Sequence, residues 1–200
     1  MAQMRLLTGL RVLAYSDFLP VSGRWGRRTL DREQNMPATR GLILVHSAPG
    51  YLLRQLAWGC WRTLGYEPTF SWTKQPLCPG EYRSELIWEG SVGTGAELAS
   101  ELSGWKNIRF EVTEESSAGL TASRWLYTPR LGIKHRATDE VGNFQISEEE
   151  LRGAMHRSAL KSADLVLELQ SLLAEPWEVE LDPLRAAGAD ANVVWLFRAG

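Results

Sequence analysis

The chain has 200 residues, 44% of them apolar, and a formal net charge of −2, enough for one domain with a sizeable core. Residues 1–40 carry +4 and residues 41–200 carry −6, so the body is acidic and general nucleic-acid binding is disfavoured. Two cysteines (Cys60, Cys78) and three histidines without zinc spacing, no motif that demands a cofactor and no membrane-length apolar run imply no metal, no cofactor, no membrane and a cytoplasmic setting.

Residues 1–39 show no clean period. Their arginines are scattered among acids, and an N-terminal extension is expected there, disordered or preceding a true start near Met36. The body, 40–200, reads as a single α+β domain. Gly41 to Ser47 is an apolar strand, and Ser47 is expected to cap a helix whose buried stripe is Leu53, Leu56, Ala57, Cys60, Trp61 and Leu64, with Gly65 as its stop. TFSWT is expected as a strand. Then Tyr82, Ser84, Leu86 and Trp88 alternate with Arg83, Glu85, Ile87 and Glu89, the pattern of a half-buried strand.

Thr94-Gly95-Ala96-Glu97 fits a capping box ahead of Leu98, Ala99 and Leu102. The next strand turns Ile108, Phe110 and Val112 inward and Arg109, Glu111 and Thr113 outward. The order β-α-β-β-α-β is that of a ferredoxin-like core, an antiparallel sheet with its helices on one face. A β-hairpin turning at Pro129-Arg130 follows. Ser147 to Glu150 is a second capping box, opening one long helix with Leu151, Met155, Ala159, Val166, Leu169 and Leu173 buried. Pro176 opens a further helix through Leu184, Gly188 closes it, and VVWLF is a last strand.

Four sets of residues bear on function. Gly93, Thr94 and Gly95 form a glycine-rich turn at a helix start, a possible anion-binding turn. It lacks the lysine of a phosphate loop, and Leu98 stands where a dinucleotide fingerprint needs its third glycine, so a structural turn is favoured. His46-Ser47 is a poor base–nucleophile pair, because adjacent strand residues face opposite ways. Glu111, Arg124, Arg130 and His135 are candidate ligands for a small anion. With Glu114, the first two and His135 are the suspects for any catalysis. Nine tryptophans are either core or an aromatic interaction surface.

Taken together, RGLILVHSAPGYLL, FSWTKQPLCPGEYRSELIWEGSVGTGAELASELSGW, IRFEVTEESSAG, RWLYTPRLGI and VVWLF resemble an actinobacterial family known as domain of unknown function 3145, over about residues 40–198. The resemblance implies no activity, cofactor or catalytic residue; it suggests an accessory or regulatory role near fatty-acid or lipid metabolism. Many members carry Cys-Pro-His-x-Glu-Trp in the first helix. Leu53-Arg54-Gln55-Leu56-Ala57-Trp58 keeps only the tryptophan, so any chemistry of that thiol and imidazole is missing here. The expected function is a non-enzymatic interaction or regulatory protein with an unidentified protein partner. A small-anion sensor is the alternative, and an enzyme the third reading.

Overall fold

The computed structural model describes residues 38–117, 120–139, 141–161 and 164–187. Residues 1–37 of the expected 1–39 extension, the stop at Gly188 and the VVWLF strand lie outside the described residues, whereas Ala38 and Thr39 belong to the first strand. Six strands form one antiparallel sheet in the order β2-β3-β1-β4-β5-β6. They are β1 (Ala38–Pro49), β2 (Thr73–Lys74), β3 (Glu81–Ser91), β4 (Arg109–Glu114), β5 (Ser123–Thr128) and β6 (Gly132–Ala137). Five helices are described: α1 (Leu53–Leu64), α2 (Thr94–Ser103), α3 (Glu148–Lys161), α4 (Leu165–Leu172) and α5 (Glu175–Ala186). The architecture is α+β.

The β-α-β-β-α-β segment supplies the inner run β2-β3-β1-β4, and β5 and β6 extend the sheet beyond β4. Strand alternation selects the first face. Ile43 and Val45 of β1, Trp88 of β3, and Phe110 and Val112 of β4 are all turned to it. They pack against Leu56 and Cys60 of α1 and Leu98 and Leu102 of α2. Each such buried apolar side chain contributes about 1.5–3 kcal/mol. Phe110 stacks on Tyr127 of β5 with ring centroids 5.1 Å apart. Gly41 permits the closest approach in this layer: a Cβ there would lie 1.8 Å from the Thr113 carbonyl oxygen and 2.6 Å from the Trp88 ring. At the far end of α1, Gly65 adopts φ +75° and its N–H bonds the Trp61 carbonyl, as the stop signal implies.

Several expectations are corrected. α1 and α2 share the first face, but the added helix α5 does not. α5 lies across the second face, where Leu181 and Ala174 pack on Leu126 of β5 and Trp177 Nε1 donates to the Gly132 carbonyl at 2.9 Å. The single long helix is two, because Asp164 accepts from Val166 N at 2.9 Å and starts α4 afresh. That restart resets the helical phase for α4, where Val166 is exposed and Leu172 buried; Leu173, just past its end, is exposed, and in α3 Leu151, Met155 and Ala159 are exposed while Ala154 is buried. TFSWT is not a strand; only Thr73–Lys74 pairs, and Phe70 stacks on Trp72 at 5.0 Å against the core. Ser47 stays within β1 instead of capping α1, and its Oγ accepts from Arg109 Nη1 at 3.2 Å. The Ser147–Glu150 box forms as expected, with Glu150 N donating to Ser147 Oγ at 3.2 Å and Ser147 N to Glu150 Oε2 at 3.1 Å.

Candidate functional site

Glu111 is the centre of the second face. Alternation along β4 sends it away from Phe110 and Val112, but α5 covers it, so it is 1% exposed instead of solvated. His46, on the neighbouring β1, donates from Nε2 to Glu111 Oε1 at 2.7 Å. Arg185, on α5, donates from Nε to the same oxygen at 2.6 Å. Arg124, on β5, donates from Nε to Oε2 at 2.7 Å. Glu178 joins both arginines, 3.0 Å from Arg124 Nη1 and 2.5 Å from Arg185 Nη1. Asp182 also bonds Arg185. Gln75 ties the layers together, donating from Nε2 to the His46 carbonyl at 2.7 Å and reaching the Leu184 carbonyl at 3.4 Å.

Burial alone would raise the Glu111 carboxyl, yet Arg124, His46 and Arg185 hold it well below the usual carboxylate range. Burial likewise works against charge on Arg185, and Glu111 and Glu178 more than offset it. Both Glu111 oxygens are occupied by neighbours on the sheet and α5. The cluster therefore fastens α5 to the sheet.

Arg130 belongs to an adjacent group. Its Nε donates to Glu180 Oε2 at 3.2 Å, Thr128 Oγ1 donates to that oxygen at 3.2 Å, and Arg109 Nε reaches Glu180 Oε1 at 3.4 Å. His135 is on the first face, stacked on Trp125 at 4.8 Å, whereas its neighbour Lys134 lies over Trp177 on the second. Burial, then Arg136, lowers the His135 pKa. The fold thus joins Glu111 to Arg124, sets Arg130 beside them and separates His135.

The glycine turn holds an anion, and that anion is Glu114. Gly93 N donates to Glu114 Oε1 at 2.6 Å and Gly95 N to Oε2 at 3.0 Å. Gly93 has φ +96°, the left-handed conformation glycine adopts freely. A Cβ on Gly95 would lie 2.7 Å from Glu114 Oε2 and 2.9 Å from the Trp125 ring. This intramolecular carboxylate replaces the expected Thr94–Glu97 capping box, and Thr94 Oγ1 instead lies 3.4 Å from Ser91 Oγ. Glu114 therefore serves α2 on the first face, away from Glu111 and Arg124.

The outer surface of α1 has a different character. Trp58 is 53% exposed and Trp61 45%, three residues apart on one side of the helix. The sequence places Trp61 on the buried stripe; in the fold it sits at that stripe's edge and turns outward. With Arg54, Ala57 and Glu67, the two rings line a groove of about 430 Å³. The Arg62 guanidinium lies 4.9 Å from the Trp58 ring centroid and bonds Glu101 Oε2 at 3.3 Å. Tyr51, in the turn ahead of α1, is exposed as well, and its hydroxyl accepts from Asn107 Nδ2 at 3.2 Å. Cys60, on the opposite side of α1, is fully buried, and burial, with Glu101, pushes its thiol up to about 12. Cys78 is partly covered, and its thiol is also raised, by burial and then Glu81.

A six-stranded antiparallel sheet covered by helices on both faces, with a buried ionic cluster under the last described helix, defines an α+β protein whose described polar groups mostly serve the fold. The chain belongs to the family described as protein of unknown function (DUF3145), whose model matches residues 42–198. No curated protein and no solved structure matches it. Among the described residues, no helix is long and apolar enough to cross a membrane.

Proposed function

We propose that this protein is a non-enzymatic interaction module that docks a protein partner on the outer face of α1. The observation that carries this reading is the pair Trp58 and Trp61, half exposed on a helix whose opposite side supplies Leu56 and Cys60 to the core. Tryptophan and arginine are among the residues that most often anchor protein interfaces, and this helix exposes both types together. A rigid helix presents them without an ordering cost for the backbone. We also read β1 to β4 with α1 and α2 as a ferredoxin-like unit. Its strand order, β2-β3-β1-β4, and its helices on one face support that reading; β5, β6 and α5 are additions to it.

The four catalytic suspects favour this reading over an enzyme, since Glu111 and Arg124 are consumed by the lock under α5 while Glu114 and His135 serve the other face. The test is affinity purification of the full chain from its native host, beside the Trp58→Ala/Trp61→Ala variant. A stoichiometric partner held by the unaltered chain and lost from the variant is the expected result. Retention of the same partner by a folded variant contradicts the assignment to α1.

A further inference from the structure

We infer that the partner segment received by the α1 face is acidic: a short stretch of protein chain with carboxylates spaced around an apolar or aromatic side chain. The inference rests on the docking role of Trp58 and Trp61 proposed above and adds the charge of what docks. α1, LRQLAWGCWRTL, carries Arg54 and Arg62 and no acid, within a body (residues 41–200) that carries −6. Arg54 lies in the first turn, where the amide ends of the helix dipole are already positive and no acidic side chain offsets them. Arg62 has one weak partner, Glu101 at 3.3 Å, and half its side chain is in solvent. Its guanidinium is held over Trp58, so cation and ring are presented side by side. The exposed stripe therefore pairs two flat apolar surfaces with two guanidinium groups able to bond carboxylates in bidentate fashion.

The same geometry disfavours a polynucleotide. Glu67 lines the groove, and Glu97 and Glu101 line the adjoining surface between α1 and α2. An extended run of phosphates would meet all of these acids, whereas a short acidic segment places its carboxylates at Arg54 and at Arg62, where it displaces Glu101 from its weak bond.

The experiment is fluorescence anisotropy on the full chain with labelled peptides of alternating glutamate and leucine around one tryptophan. Glutamine and lysine counterparts and a single-stranded oligonucleotide are measured beside them. The glutamate peptide is expected to bind about fivefold tighter than the glutamine peptide, the scale of one or two exposed charge pairs. That advantage shrinks as salt rises, disappears in Arg54→Glu and persists in Arg54→Lys. Arg54 is exposed, so these variants fold, and unchanged urea midpoints verify it. Equal affinity for the glutamate and glutamine peptides, both lost in Trp58→Ala/Trp61→Ala, overturns the acidic preference while leaving docking at α1 intact. Tighter binding of the lysine peptide or the oligonucleotide overturns the inference, as does failure of every peptide to bind.

Discussion

The two faces of one sheet are held in opposite ways. On the first, Ile43, Val45, Trp88, Phe110 and Val112 bury apolar surface against α1 and α2. On the second, α5 contributes Leu181, with Ala174 just ahead of it, but depends on Arg185, which reaches Glu111 through the middle of the layer. Apolar packing tolerates replacement by another side chain of similar volume. A buried ionic cluster tolerates the loss of no single member, because each leaves its partners charged and dry. The first face is therefore a graded source of stability, and the second behaves as a lock.

The largest expected effect comes from Glu111→Ala, which strands His46, Arg124 and Arg185 and costs about 3–5 kcal/mol in urea unfolding. Phe110→Ala, on the neighbouring position of the same strand, costs a similar 3–5 kcal/mol by leaving a cavity. The two are told apart by repair. Replacing His46, Glu111, Arg124, Glu178 and Arg185 together with apolar residues recovers most of the loss, whereas no polar change repairs Phe110→Ala. Failure of the fivefold replacement to recover stability would show that the cluster is more than an electrostatic fastening.

Acid separates the faces too. The Glu111 carboxyl is held below its ordinary range in the folded chain, so the unfolded chain binds more protons and stability rises with pH. Its contribution is complete above the unfolded value of about 4.3 and declines as pH falls towards the folded value. Urea midpoints measured from neutral to acid pH are expected to fall more steeply for the unaltered chain than for Glu111→Gln. Parallel curves would remove Glu111 as the source.

Smaller effects test the caps. Gly95→Ala drives a methyl against Glu114 and Trp125 and is expected to cost about 1–3 kcal/mol. Ser147→Ala removes one half of the box that opens α3 and costs about 1 kcal/mol. Smallest of all, Trp58→Ala/Trp61→Ala costs no more than about 0.5 kcal/mol per site in urea unfolding, because both rings stand outside the core.

The first face was legible in the sequence because its signals are local. Period-two alternation put Trp88, Phe110 and Val112 inward, and Gly65 marked where α1 stops. The second face was not legible, since its burial is created by residues far along the chain. Glu111 reads as outward until α5 covers it, and Arg185 lies 74 positions away. The same non-locality explains Glu114, whose carboxylate takes the α2 amides that Glu97 would otherwise serve. One clue was present: Glu178, Leu181, Asp182 and Arg185 recur at helical spacing, mixing charged residues with a core leucine along one side of α5. For the α1 face, the signals were an acid-free helix and a tryptophan, Trp58, off the apolar stripe. The exposure of Val166 in α4 was not legible because the break at Asp164 shifts the phase of the second helix.

That break leaves a second exposed apolar surface, including Val166 and Leu167 of α4, so the most direct test sets one surface against the other. The full chain, Trp58→Ala/Trp61→Ala and Val166→Asp/Leu167→Asp are used side by side to retain partners from the native host, with equal urea midpoints required of all three. Loss of the stoichiometric partner from the tryptophan variant alone is the predicted result. Loss from the α4 variant alone would contradict the account and move the docking surface to the other side of the molecule.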